Sequence, residues 1–284
     1  MHPILFAIGD FYIGSYGLML ALGLIAGSIY AVWRARQVNV PGPVVMDTVF
    51  CAVVAGIVGS RIVYIVINFG EFLDDPMALL LSRTHFVFLG GVIFAILSCY
   101  LYARWKKVRF LDVTDILASA IPLGHAFGRV GCFLAGCCYG SYLPPDSPFS
   151  FLAVRYPAQT QAGEVVIPNL AYENHLHSGL IKAGSSMSAP VWPVQLMESF
   201  GELCIFFLLF IVWRYRRFRG QVLISYLMLY SLLRFSLEFI RGDLDRGAVG
   251  VFSTSQLISL GLILIGVASI FILRKNDAVR IDSQ

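Results

Sequence analysis

The residues of this chain that could do chemistry are ionisable side chains set inside apolar runs. Each such charge costs about 2.5–3.5 kcal/mol near the middle of a bilayer, so it needs a partner or a task. Arg129 lies in the run Pro122-Leu-Gly-His-Ala-Phe-Gly-Arg-Val-Gly-Cys-Phe-Leu-Ala-Gly-Cys-Cys-Tyr-Gly140, with His125 four residues earlier. That spacing puts both on one face of a helix, and the glycines around them, Gly128, Gly131 and Gly140, let backbone approach a ligand closely. Tyr230, Arg234 and Glu238 form a second polar stripe at intervals of four. An arginine held by its own i,i+4 carboxylate can serve structure alone, or can present its remaining donors to a phosphate, which the guanidinium fork suits. Gln195, Glu198 and Glu202 form a third group, and two buried carboxylates on one face repel unless each meets a cation or one keeps its proton. Arg61, in Gly59-Ser-Arg-Ile-Val-Tyr64, is the expected partner for that pair. Tyr16, before Gly17, reads equally as an interfacial aromatic. Two or three arginines gathered near one membrane face describe a site for an anionic group arriving from the lipid, and a phospholipid head group fits best.

His125 offers an imidazole one turn before Arg129, a side-chain type suited to moving a thiol proton near neutral pH. It also reads as a packing histidine bonded to a carbonyl. Of six cysteines, Cys51, Cys99 and Cys204 sit in apolar runs where a small hydrophobe suffices. Cys132, Cys137 and Cys138 have a C-x4-C-C spacing that is not a standard zinc pattern, with His125 the one obvious fourth ligand. Free packed thiols, or an outer-side disulfide from Cys132 to Cys137 or Cys138, are the other readings.

The elements that must position these residues are membrane helices. The 284 residues are 58% hydrophobic and 13% charged, with mean hydropathy +0.76, which places the chain in lipid rather than among soluble domains. Seven runs, near 12–33, 44–68, 84–103, 113–135, 194–213, 221–240 and 254–273, have roughly the 20 residues needed to cross about 30 Å of hydrocarbon. The expected fold is therefore an all-α polytopic membrane protein with about seven transmembrane helices. Basic residues resist translocation, and 13 of the 21 fall on one side: Arg34, Arg36, Arg104, Lys106, Lys107, Arg109, Arg214, Arg216, Arg217, Arg219, Arg274, Lys275 and Arg280. That side is expected to be cytoplasmic, with the N-terminus outside and the C-terminus inside. The net charge of +4 is thus a topology signal and not a nucleic-acid footprint.

The opening Met1-His-Pro-Ile-Leu-Phe-Ala-Ile-Gly-Asp10 lacks a basic n-region and a cleavage site, so the first span is expected to remain as an anchor. Three segments are expected: 1–140 with helices one to four and the signature run, 141–192 as a small extracytoplasmic head, and 193–284 with helices five to seven and a cytoplasmic tail. The head is rich in Pro, Ser, Asn and Gly, and its alternating pieces, Phe151 to Tyr156 and Val165 to Ile167, predict short strands. Gly23 with Gly27, and Gly124 with Gly128, predict close helix contacts.

Taken together, these residues resemble the bacterial prolipoprotein diacylglyceryl transferase family over roughly 12–273. The strongest matching pieces are Gly128-Arg-Val-Gly131 through Gly140, and Tyr230-Ser-Leu-Leu-Arg-Phe-Ser-Leu-Glu-Phe-Ile-Arg241; weaker ones are Tyr16-Gly-Leu-Met19, Arg61 to Tyr64, Phe88-Leu-Gly-Gly91 and Pro193-Val-Gln-Leu-Met-Glu198. The resemblance implies an inner-membrane enzyme moving a diacylglyceryl group from phosphatidylglycerol to the lipobox cysteine of a prolipoprotein, with release of glycerol 1-phosphate. Its implied partners are phosphatidylglycerol, the prolipoprotein signal peptide and membrane lipids, with no nucleic acid and no metal or organic cofactor. Catalysis is expected from His125, Arg129, Arg234, Glu238 and Tyr16, and substrate binding from Arg129, Arg234, Tyr230, Arg61, Gly128, Gly131, Gly140, Gln195, Glu198 and Arg241. The chain departs from the usual family signature: Cys132, Ala135 and Cys137 stand where Asn, Asn and Glu are commonest, and Leu89 and Trp192 replace frequent histidines. His125 is expected to supply the missing imidazole. The alternative is a paralogue that kept the lipid-binding bundle and lost the chemistry.

Overall fold

A computed structural model describes residues 2–8, 11–77, 86–162, 165–242, 247–250 and 252–281. In chain order its helices are α1 (Ser15–Ala35), α2 (Gly42–Ile67), α3 (Phe69–Asp74), α4 (Phe88–Trp105), α5 (Phe110–Ala135), α6 (Leu170–His177), α7 (Val194–Arg214), α8 (Gln221–Glu238) and α9 (Thr254–Ile281). Every apolar run read from the sequence holds a long helix, the start of the third run, 84–85, lying outside the described residues. Among the described residues six are long and apolar enough to cross a membrane. The seventh, α8, forms where expected, but its 18 residues include Tyr226, Tyr230, Ser231, Arg234, Ser236 and Glu238, which dilute its hydropathy.

Burial is inverted relative to a water-soluble protein. Glu198 and Glu202 are 0% exposed, while Phe50 and Leu264 are 69% and 71% exposed. Water would penalise that arrangement on both counts, whereas hydrocarbon accepts the outward apolar side chains.

Two compact units form. One is Ser28–Leu117, in which α2 packs on α4. Small residues allow it: a Cβ on Gly91 would lie 3.0 Å from the Gly56 carbonyl oxygen, and one on Gly90 would lie 2.6 Å from Val63. The other unit joins Met1–Gly27 to Ala118–Gln284. Within it α1 crosses α5 where Gly23 meets Gly124, a Cβ on Gly23 falling 2.8 Å from the Gly124 carbonyl oxygen. This is the close contact that glycine spacing predicted.

The ends of the second unit differ from expectation. Strands β1 (Ile4–Ile8) and β2 (Phe11–Gly14) pair antiparallel before α1, so the first helix starts at Ser15 and not at residue 12. In the head, β3 (Gln159–Ala162) pairs with β4 (Val165–Pro168), which holds the predicted strand at Val165 to Ile167. Phe151 to Tyr156 forms none. Its first residues lie in a 3-10 turn, Ser150–Leu152; of the rest, Val154 makes an isolated bridge to Val191, and Pro157, just beyond the segment, bridges Met187. Pro157 and Pro190 lack the N–H a longer ladder needs. The head instead closes on a core of Tyr139, Tyr156, Ala171 and Val191. A last short pair, β5 (Ala248–Val249) with β6 (Phe252–Ser253), precedes α9.

Candidate functional site

Three helices of the second unit supply the site. The i,i+4 spacing of each polar stripe fixes which face it occupies, and the stripes meet. From α5, Arg129 Nη2 donates to Glu198 Oε1 of α7 at 2.9 Å, and Arg129 Nε donates to His125 Nε2 at 3.4 Å. His125 Nδ1 stands 2.7 Å from Glu202 Oε1, and its Nε2 stands 3.8 Å from Glu198 Oε1. Because Nε2 accepts from a guanidinium, the network assigns the ring proton to Nδ1, from which it donates to Glu202. The repulsion expected between the two buried carboxylates is thus relieved by Arg129 and His125. Arg61, the partner expected from sequence, belongs to the first unit, where its guanidinium carbon lies 4.4 Å from the Phe86 ring centroid.

On α8, Arg234 Nη1 pairs with Glu238 Oε2 at 2.7 Å, and Arg234 Nη2 donates to Ser255 Oγ of α9 at 3.2 Å. Tyr230 links the two halves. Its ring centroid lies 5.2 Å from that of His125, it stacks on Tyr226 at 5.9 Å, and it interacts electrostatically with Arg129 and Arg234 alike. Arg129 and Arg234 side chains keep 14% and 13% exposure, whereas their carboxylate partners are closed off. Each guanidinium is therefore held by protein at two of its nitrogens, and part of the side chain is still reachable.

Around this cluster the glycines divide by role. Gly131 brings α1 onto α5, since a Cβ there would lie 3.2 Å from the Tyr16 Cα; Tyr16 accordingly sits beside the arginine helix and interacts electrostatically with Arg129. Gly128 faces open space. Gly140 bridges Arg241 where a Cβ would strike the Trp192 carbonyl oxygen at 2.4 Å. Gln195 donates to the Cys137 carbonyl at 2.8 Å and to the Tyr156 hydroxyl at 2.9 Å, tying the end of α5 to the head. Burial pushes the Tyr156 hydroxyl up to about 12. All six cysteines are free thiols. Sequence reasoning did not assign Ser255 to the site, and a serine at a helix start carries no signal beyond capping. It placed Glu202 beside Glu198 without seeing that its partner is His125.

A buried row of guanidinium, imidazole and carboxylate between membrane helices can hold an anion from the lipid phase and move a proton near it. The molecule is thus a multi-pass helical membrane protein with a polar, catalytically equipped interior. A profile of the family described as prolipoprotein diacylglyceryl transferase matches residues 3–272. The chain is 32% identical over 270 residues to a phosphatidylglycerol–prolipoprotein diacylglyceryl transferase of Clostridium tetani, covering 94% of this chain and 96% of the relative. It is 30% identical over 276 residues to one of Thermotoga maritima, covering 96% and 85%, and 30% identical over 270 residues to a second such transferase of Clostridium perfringens, covering 94% and 93%. The chain belongs to the prolipoprotein diacylglyceryl transferase family.

Proposed function

We propose that this protein transfers the diacylglyceryl group of phosphatidylglycerol to the lipobox cysteine thiol of prolipoproteins. The sulfur attacks the glycerol carbon that bears the phosphate; a carbon–sulfur bond forms, the carbon–oxygen bond breaks, and glycerol 1-phosphate leaves with the electron pair. Arg129 and Arg234 hold the phosphate charge as it grows on the leaving oxygen, where the low dielectric between membrane helices strengthens their pull. As Arg129 turns its Nε–H from His125 to the phosphate, the Nε2 lone pair is left to take the thiol proton, with Glu202 fixing the ring through Nδ1. Glu198 and Glu238 set the angle of each guanidinium fork, Tyr230 spans the two, and Tyr16, Gly128, Gly140, Gln195 and Arg241 shape the approach. The enzyme lies in the bacterial inner membrane with its N-terminus and head outside, as the basic residues on the opposite side require. Its partners are phosphatidylglycerol and the signal peptide of the prolipoprotein.

The observation that carries this reading is the packing of Tyr230, one turn before Arg234 on α8, with its ring centroid 5.2 Å from that of His125, the imidazole that Arg129 of α5 contacts. The test is to incubate the purified chain with phosphatidylglycerol and a lipobox peptide and weigh the peptide. A diacylglyceryl mass increase is expected; lipid binding with no increase would leave a lipid-binding relative that lost the reaction.

A further inference from the structure

The end of α5 carries a group that the proposed reaction does not use. The sulfurs of Cys132, Cys137 and Cys138 all lie within 4.8 Å of one another, each partly buried. Sulfurs sharing one tetrahedral ion at bonds of about 2.3 Å sit about 3.8 Å apart, so small side-chain adjustments bring all three onto a common centre.

The backbone builds this cluster. After Cys132 the helix closes on Gly136 at φ 78°, whose N–H and that of Cys137 both donate to the Cys132 carbonyl, at 2.9 and 3.2 Å. That cap folds Cys137 back over Cys132. Cys138 then takes φ 58°, a left-handed conformation that a non-glycine residue adopts only when its surroundings impose it. The segment is held from both sides: Gln195 grips the Cys137 carbonyl, and the Gly242 N–H donates to the Tyr139 carbonyl at 3.1 Å.

The donor set is three thiols with no carboxylate among them, and His125 is committed to Glu202. Such a set favours a soft, thiophilic ion over magnesium, calcium or manganese.

We infer that Cys132, Cys137 and Cys138 form a binding site for a single thiophilic d10 ion, Zn(II) or Cu(I), with three sulfur ligands and a fourth position open. The proposed reaction uses none of these three thiols, so the inference does not depend on the lipid reading.

The full-length chain in detergent, reduced and with its thiols counted, is titrated with Co(II) as a spectroscopic stand-in and then with Zn(II). One equivalent of Co(II) giving a thiolate charge-transfer band, displaced by Zn(II), is expected. The band is kept by a C51A/C99A/C204A variant and lost in C132S/C137S/C138S. X-ray absorption of the zinc-loaded wild-type chain needs no variant to fold and should find three sulfurs at about 2.3 Å. Fully reduced protein that takes up no ion, a band that survives loss of all three thiols, or a zinc shell of nitrogen and oxygen alone would overturn the inference.

Discussion

Arg129 uses its fork twice, on Glu198 and on His125, and this doubled use is what a lysine cannot copy. Arg129→Lys should leave the fold intact and lower kcat/KM in the peptide mass assay by about a hundredfold or more, the scale seen when one donor to a developing anion is removed. His125→Ala should lose activity to a similar extent, and full activity in that variant would remove the imidazole from the mechanism. Removing the carboxylate has a different consequence: Glu198→Ala leaves a buried guanidinium without its counter-charge, and thermal unfolding should show a loss of about 3–5 kcal/mol. At this scale the sequence made each stripe readable through its spacing of four. What spacing could not reveal was pairing across helices. Arg129 and Glu198 are 69 residues apart, and the choice of Arg129 over Arg61 as the counter-ion depends on how helices pack.

At the scale of elements, the long helices were legible because lipid demands continuous apolar runs, and the Gly23–Gly124 crossing was legible because small residues recur at helical spacing. Gly124→Val should therefore force α1 from α5 and destabilise the protein by about 1–3 kcal/mol, read as a lowered melting temperature. The head was less legible: its strands β3 and β4 are four residues each, and prolines cut the ladders that alternation implies. Within it His175 is 5% exposed and packs edge-on against Tyr139. Its Nδ1 has no hydrogen-bond partner among the described residues, and burial holds its pKa below the usual value. Unfolding frees the ring to take a proton, so the unfolded head binds more protons once the pH drops below about 6.5. Head stability is complete above that pH and declines as acid approaches the lower, folded value. Hydrogen exchange over residues 139–191 should show this acid loss in the wild type and not in His175→Phe.

For the whole molecule, the ordering of side chains follows from its solvent. Apolar residues such as Phe50 and Leu264 point outward, and the charges that lipid excludes collect inside against one another. Those charges can meet substrate only where a guanidinium keeps part of its fork reachable, and Arg129 and Arg234 do so from separate helices, with Tyr230 of the second packed against the His125 ring of the first. If both hold one phosphate, their contributions to lipid binding must be coupled. Native mass spectrometry of the wild type, Arg129→Gln, Arg234→Gln and the double variant with phosphatidylglycerol measures that coupling directly. The account predicts one lipid per chain, weaker binding in each single variant, and losses that depart from additivity by more than about 0.5 kcal/mol. Two losses that simply add, or a lipid held equally well without either arginine, would contradict it.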